Sequence, residues 1–122
     1  MNDEKIDWES LKQYQKIFGT DKMQMLWQEF LHNTLEDIAD IEDKDLQTIR
    51  LKFHSWRSSS QVFGLKGFSR ECEAIEEMAI SCENIEKIKK TIDNCKKTFH
   101  NTQKEVDRFF GQGKNGTDAN RK

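Results

Sequence analysis

Apolar residues recur at steps of three and four along most of this 122-residue chain, which contains no proline. That spacing places them on one face of an α-helix, and proline is the residue that breaks helix interiors most strongly. The regular face of the last long segment is Ile85, Ile88, Ile92, Cys95, Phe99, Thr102, Val106 and Phe109. The pattern therefore predicts an all-α chain built from long helices.

Glycines and capping residues divide the pattern into five helices, predicted at residues 7–18, 20–40, 44–63, 68–81 and 84–111. Asp7 and Thr20 are suitable N-caps, and Gly19 stands where glycine commonly ends a helix. Gly64 and Gly67 can supply left-handed conformations to the turn before the fourth helix. We expect four helices to close as an antiparallel bundle, with the short first helix capping one end.

Length and composition limit the class of protein. A chain of this size suits a single domain that buries its own core, and we expect that domain at residues 1–110. Residues 111–122 are glycine-rich and polar, so they predict a flexible tail. The three cysteines form no CxxC pair, which favours reduced cysteines over a disulfide framework or a zinc site.

The charge balance does not favour a polyanionic partner. The chain has 20 basic and 22 acidic residues, a net charge of −2, so no bulk attraction to nucleic acid or to an anionic membrane is expected. The first residues are polar, and no apolar run is long enough to span a bilayer. We therefore expect a cytoplasmic protein, and the initial methionine and polar tail favour a free-standing one.

His54 lies on the polar side of the third predicted helix. The apolar stripe of that helix is Leu46, Ile49, Phe53, Trp56, Ser60 and Phe63. At about 100° per residue, His54 points roughly 130° away from the middle of this stripe. Its neighbours there include Arg57 and Ser58, a cation and a small residue one turn further on. This arrangement suits an exposed imidazole that meets a phosphoryl group.

The surrounding run resembles the signature of histidine-containing phosphotransfer domains, which carry phosphoryl groups in phosphorelays. The positions that match are His54, Arg57, Ser58, Ser59, Ser60 and Gly64, followed in the next helix by Phe68, Cys72, Ile75 and Glu76. Ser58 replaces the usual glycine, Arg57 the commoner lysine, and Phe53 stands where a small residue is frequent. His32 and His100 lack the pattern.

The resemblance implies that the protein is a phosphocarrier and not an enzyme. His54 would accept a phosphoryl group from a receiver-domain aspartate and pass it to another receiver. Arg57 would stabilise the phosphate, Ser58 would leave room for the partner, and Gly64 is the second glycine of the motif. The magnesium ion belongs to the receiver, so no cofactor is expected on this chain.

The expected partners are receiver domains of response regulators, including that of a hybrid sensor kinase, and we expect a monomer. From helix geometry, the predicted docking residues around His54 are Gln47, Arg50, Leu51 and Gln61, with parts of the second helix. Two alternatives stay open. One is a docking module that binds a receiver or another signalling partner without chemistry, with Ser58 as a sign of drift from transfer. The other is an adaptor bundle in which the motif is accidental.

Overall fold

Helices are the only regular secondary structure in the described part of the chain, as the apolar spacing predicted. A computed structural model describes residues 5–121, and the side chains of residues 5–111. Its elements are α1 (Trp8–Phe18), α2 (Thr20–Ile38), a short 3-10 helix (Ile41–Asp43), α3 (Leu46–Gln61), α4 (Lys66–Ile80) and α5 (Ile85–Arg121). Met1–Glu4 and Lys122 lie outside the description.

Capping side chains set where the helices start. The Asp7 carboxylate accepts a hydrogen bond from the Ser10 amide at 3.2 Å, as predicted for the start of α1. Asp45 accepts one from the Thr48 amide at 2.8 Å, so α3 begins after Asp45 and not at Lys44. The prediction of Thr20 as a cap was wrong by one residue, because Gly19 holds the non-helical position with φ 91°.

The predicted apolar stripes form the core. Leu11, Trp27, Phe53, Phe68 and Phe99 are among its largest fully buried side chains. On α3, all predicted stripe residues are buried except Leu46, which is partly buried. The fit is weaker at helix ends.

Burial departs from the three-and-four spacing at three positions, two near the turn between α4 and α5 and one inside α5. Cys82 lies beyond the end of α4 with φ 53° and is exposed. Ile85 is the first residue of α5, and its side chain is 41% exposed although the pattern placed it in the apolar stripe. Phe110 is buried, whereas Phe109 is only partly so. Side chains at element ends lack a neighbouring turn, which makes their periodicity a weak guide to burial.

The helices pack in a way that fits a four-helix bundle. α4 packs between α3 and α5, while α2 contacts α1 and α5. The Trp27 indole N–H donates to Asp107 at 2.8 Å, which ties α2 to α5. Trp8 contacts Phe109 with ring centroids 5.4 Å apart, so α1 also reaches α5.

The N-terminal segment holds the turn between α3 and α4. The Asp7 amide donates to the Gly64 carbonyl at 2.6 Å, and the Gly67 amide donates to the Lys5 carbonyl at 2.9 Å. Gly64 has φ 70°, and a Cβ there would collide with the Asp7 carbonyl. Gly64 therefore serves both the turn and a close backbone approach. Gly67, in contrast, lies inside α4 and not in a left-handed turn.

The last helix extends past its predicted end. α5 continues to Arg121, whereas the spacing predicted an end near Gly111. The side chains of residues 112–121 and all of Lys122 lie outside the described part. The division into a domain at 1–110 and a flexible tail at 111–122 therefore stays a prediction.

Candidate functional site

The core positions of α3 direct His54 outward. Phe53 and Trp56 are buried, and their rings contact each other edge to face with centroids 4.9 Å apart. Because residues on a helix are about 100° apart, burial of these two leaves His54 on the opposite side. Its side chain is 53% exposed. The predicted exposure of the His54 imidazole is thus confirmed.

The Glu76 carboxylate of α4 contacts the Nδ1 side of the His54 imidazole. His54 Nδ1 lies 2.8 Å from Glu76 Oε2, and the Glu76 side chain is only 12% exposed. The other carboxylate oxygen, Oε1, accepts a hydrogen bond from Arg57 Nε at 3.3 Å. One carboxylate therefore joins the two motif residues across the α3–α4 groove.

This pairing assigns the tautomer of His54. An ionised glutamate carboxylate can only accept hydrogen bonds. Nδ1 must then carry the proton and donate it to Glu76. In a neutral imidazole this leaves the lone pair on Nε2. Nε2 makes no hydrogen bond to residues 5–111, so the nucleophilic nitrogen is the one open to a partner.

Arg57 is ion-paired in the fold and does not extend freely into solvent. Its side chain is 27% exposed and is held to Glu76. Nη2 lies 3.1 Å from His54 Nδ1, a contact that is not a hydrogen bond once Nδ1 is itself a donor. Within the described residues, Nη1 makes no hydrogen bond. Donors of this guanidinium are thus unused beside the imidazole, and a role in phosphate stabilisation stays a prediction.

Two buried hydroxyls fix the backbone of this turn. Ser60 and Ser69 are buried, and each hydroxyl donates to the Arg57 carbonyl at 3.2 Å. The Gln61 side-chain amide donates to Ser69 Oγ at 3.4 Å. Burial of Ser60 on the core stripe was predicted; the hydrogen bond from its hydroxyl to the Arg57 carbonyl was not. These bonds hold the α3 turn that presents Arg57 and Ser58.

Within the described residues, no hydrogen bond or ion pair links the predicted docking residues to His54. Gln47, Leu51, Ser58 and Gln61 are exposed, while Arg50 is half-buried. Leu51 is 49% exposed. Among residues 5–111, the polar side-chain contacts of His54 are with Arg57 and Glu76, so the roles of the other residues stay predictions.

A groove of about 460 Å³, lined by both apolar and polar residues, lies beside this face, between α2 and α3. Its apolar lining includes Leu26, Phe30 and Val62, and the small residues Ser55 and Ser59 form part of the α3 side. The groove brings parts of α2 close to α3. A contribution of the second helix to docking stays a prediction.

The other histidines have different surroundings. His32 lies 3.9 Å from Glu36, one turn away on the same exposed helix face. His100 is exposed on α5 beside Lys96 and Lys97. Neither combines a buried carboxylate with an arginine, as His54 does.

Sequence reasoning assigned no role to Glu76. The signal was available: Glu76 follows Ile75 on the face of α4 that also carries Phe68 and Cys72. An acidic residue next to a buried stripe needs a partner, because carboxylates are rarely buried unless paired. Which partner it had depended on how α3 and α4 are aligned, and spacing within one helix does not give that alignment.

Two searches over the described residues give negative findings. No helix there is long and apolar enough to cross a membrane. Across the same residues, no cluster of three or more histidine, cysteine, aspartate or glutamate side chains could hold a metal ion.

Comparison with known proteins gives one match. The sequence model of the Hpt domain matches residues 25–98, which run from α2 into α5 and include both His54 and Glu76. No curated protein and no solved structure matches the chain.

Proposed function

The chain belongs to the Hpt domain family, and on that premise we propose that it relays a phosphoryl group between two receiver domains through His54. Domains of this family are phosphocarriers in phosphorelay signalling and interact with response-regulator receivers. The proposal adds the phosphoacceptor residue, the receiver-to-receiver direction and the antiparallel arrangement of α2–α5. The observation that carries it is the His54–Glu76–Arg57 contact with Nε2 left open.

The proposed step needs a nucleophile and a leaving group. The Nε2 lone pair of His54 attacks the phosphorus of an aspartyl phosphate. A nitrogen–phosphorus bond forms, the phosphorus–oxygen bond to the aspartate breaks, and its electron pair returns to the receiver as a carboxylate. In the second half, a carboxylate oxygen of the next receiver attacks the phosphorus and the electron pair returns to Nε2. No oxidant, reductant or bound cofactor is required on this chain.

Glu76 prepares His54 for this step. Phosphorylation at Nε2, with the proton kept on Nδ1, makes the ring cationic. The Glu76 carboxylate, 2.8 Å from Nδ1, faces that developing charge. A preorganised charge of this kind stabilises the transition state more than the neutral starting ring. Glu76 acts through the imidazole and is therefore a positioning residue.

Arg57 is proposed to meet the phosphoryl oxygens. A guanidinium has five N–H donors, and in this structure Glu76 engages only Nε. A rotation that keeps this contact can turn the outer donors toward a phosphoryl group on Nε2. Arginine is well matched to phosphate oxygens because its donors are fixed in one plane. Ser58, exposed one turn from His54, leaves space for the receiver loop.

The receiver is proposed to supply the magnesium ion and to dock around His54, and the protein to act as a cytoplasmic monomer. A receiver of a hybrid sensor kinase is one donor that fits this scheme. The near-neutral net charge of −2 gives no reason to add nucleic acid or a membrane surface to the partners.

Transfer from purified, phosphorylated receiver domains tests the proposal. The wild-type chain should acquire an acid-labile, base-stable phosphate, and His54→Gln should acquire none. His100→Gln, on the exposed side of α5, is the matched control and should be labelled like wild type. Receiver binding without label would favour the docking-module alternative, and label on a residue other than His54 would contradict the proposed site.

A further inference from the structure

A second concave feature lies in the same groove as His54. It is a notch of about 470 Å³ lined by Leu46, Gln47, Arg50, Ala79, Ile80 and Cys82. Arg50 is four residues before His54 on α3, and Ile80 is four residues after Glu76 on α4. Four residues of helix span about 6 Å. The notch is therefore one helical turn from the phosphoacceptor.

The lining of the notch combines polar side chains with apolar ones that are incompletely buried. Ile80 is 58% exposed, and Leu46 is only partly buried. Exposed apolar side chains that adjoin one another on a concave surface mark sites of interaction more often than isolated ones do. The notch thus has the shape and chemistry to accept an apolar side chain.

Arg50 gives the notch a charge preference. Its guanidinium has no carboxylate within 4.0 Å among residues 5–111, whereas Arg57 is paired with Glu76. A half-buried arginine without an ion pair is an available partner for a carboxylate. The complementary surface is therefore an apolar side chain beside an acidic one.

We propose that this notch seats an apolar side chain and an adjacent carboxylate of the receiver domain that exchanges a phosphoryl group with His54. The proposal rests on the carrier function proposed above. A stable interface covers about 800 Å² on each partner, a patch of roughly 16 Å radius. A receiver centred on Nε2 would cover the notch one turn away, so Arg50 and Ile80 would select among receivers.

The test separates docking from chemistry. Phosphoramidate transfers a phosphoryl group to histidine without any docking protein, so it reports whether His54 is intact and reactive. Transfer from the receiver that labels wild type fastest is then measured over a range of receiver concentrations. The notch variants are Arg50→Glu and Ile80→Ser. The matched controls are Lys97→Glu on α5 and Ile17→Ser on α1, both exposed.

All variants should react with phosphoramidate at the wild-type rate. Arg50→Glu should raise the half-saturating receiver concentration about tenfold at low salt, and less at high salt, because ions screen the lost attraction. Ile80→Ser should raise it about threefold at either salt concentration. Arg50→Lys keeps the charge and should stay within about twofold of wild type. Both control variants should match wild type.

Three results would overturn the inference. Wild-type half-saturating concentrations for both notch variants would show that the receiver does not use this groove, while His54 labelling would leave the carrier function standing. Equal losses in the notch variants and the distant controls would show a general effect of the substitutions. Absence of receiver-dependent label on the unaltered chain would refute the carrier function, and the inference with it.

Discussion

At the scale of single residues, the site depends on one carboxylate. Glu76 is nearly buried, accepts from Arg57, and faces His54 Nδ1 at 2.8 Å. Its charge fixes which imidazole nitrogen carries the proton. A histidine with the same exposure but no such partner would distribute its proton between two tautomers, and only one of them presents a lone pair at Nε2.

Replacing Glu76 with glutamine should slow phosphorylation of His54 about tenfold. An amide oxygen can still accept from Nδ1, but a neutral hydrogen bond is weaker than a charge-assisted one by about 1–1.5 kcal/mol. That difference corresponds to about tenfold in rate. The measurement is the initial rate with phosphoramidate and with a receiver. Glu77→Gln, on the exposed side of α4, is the control and should retain the wild-type rate.

A wild-type rate in Glu76→Gln, with the fold intact by circular dichroism, would show that the carboxylate charge does not assist transfer. A lower rate of phosphorylation with the receiver, but not with phosphoramidate, would instead show that Glu76 acts in docking the receiver and not in positioning His54.

At the scale of elements, the contact between the N-terminal segment and the α3–α4 turn sets the end of the phosphoacceptor helix. The Asp7 amide donates to the Gly64 carbonyl, and the approach is so close that a Cβ at Gly64 would strike the Asp7 carbonyl. The second glycine of the sequence motif is therefore a structural requirement of this turn.

Gly64→Ala should lower the free energy of unfolding by about 1–3 kcal/mol, because it combines a left-handed φ with a backbone collision. Urea denaturation at equilibrium measures the change. Gly19→Ala is the matched control: it has φ 91° but no atom within 4 Å of the added Cβ. Gly19→Ala should lower the free energy of unfolding by about 1 kcal/mol, through backbone strain alone. Equal losses in the two variants would show that the Asp7 contact adds nothing.

At the scale of the whole molecule, ion pairs between distant segments make stability depend on pH. Lys96 of α5 donates to Glu42 at 2.7 Å and to the Ala39 carbonyl at 2.9 Å, joining α5 to the 3-10 helix. Burial raises the pKa of Glu42, but the hydrogen bond from Lys96 and the positive charges of Lys96 and Lys89 outweigh it. The pKa of Glu42 is therefore lowered from its ordinary value of 4.5.

A lowered pKa in the folded state stabilises the protein above pH 4.5 and loses that contribution as the pH falls through the folded value. We expect Glu42→Gln to reduce the free energy of unfolding by about 1 kcal/mol or less at pH 7, and to have a smaller effect near pH 3. Thermal unfolding at the two pH values measures this difference. Asp43→Asn, next to it in the 3-10 helix, is the control. An effect of Glu42→Gln that is equal at both pH values would contradict the assignment.

The sequence by itself determined the helices and the direction of His54. Side-chain spacing depends only on the 3.6-residue turn, so the stripe through Phe53 and Trp56 fixed which side of α3 faces solvent. Local capping chemistry likewise placed the start of α1 at Asp7. These features depend on neighbours within a few residues, and a sequence contains that information directly.

Only the tertiary structure decided what lies across the groove. The pairing of His54 with Glu76 depends on the alignment of α3 and α4, and the need for Gly64 depends on where Asp7 folds back. Spacing along α3 placed Arg57 near His54 without giving it a partner, and the fold holds it against a carboxylate from another helix. Contacts between residues 19 to 57 positions apart are set by how buried faces pack together, and spacing within one helix does not specify that packing.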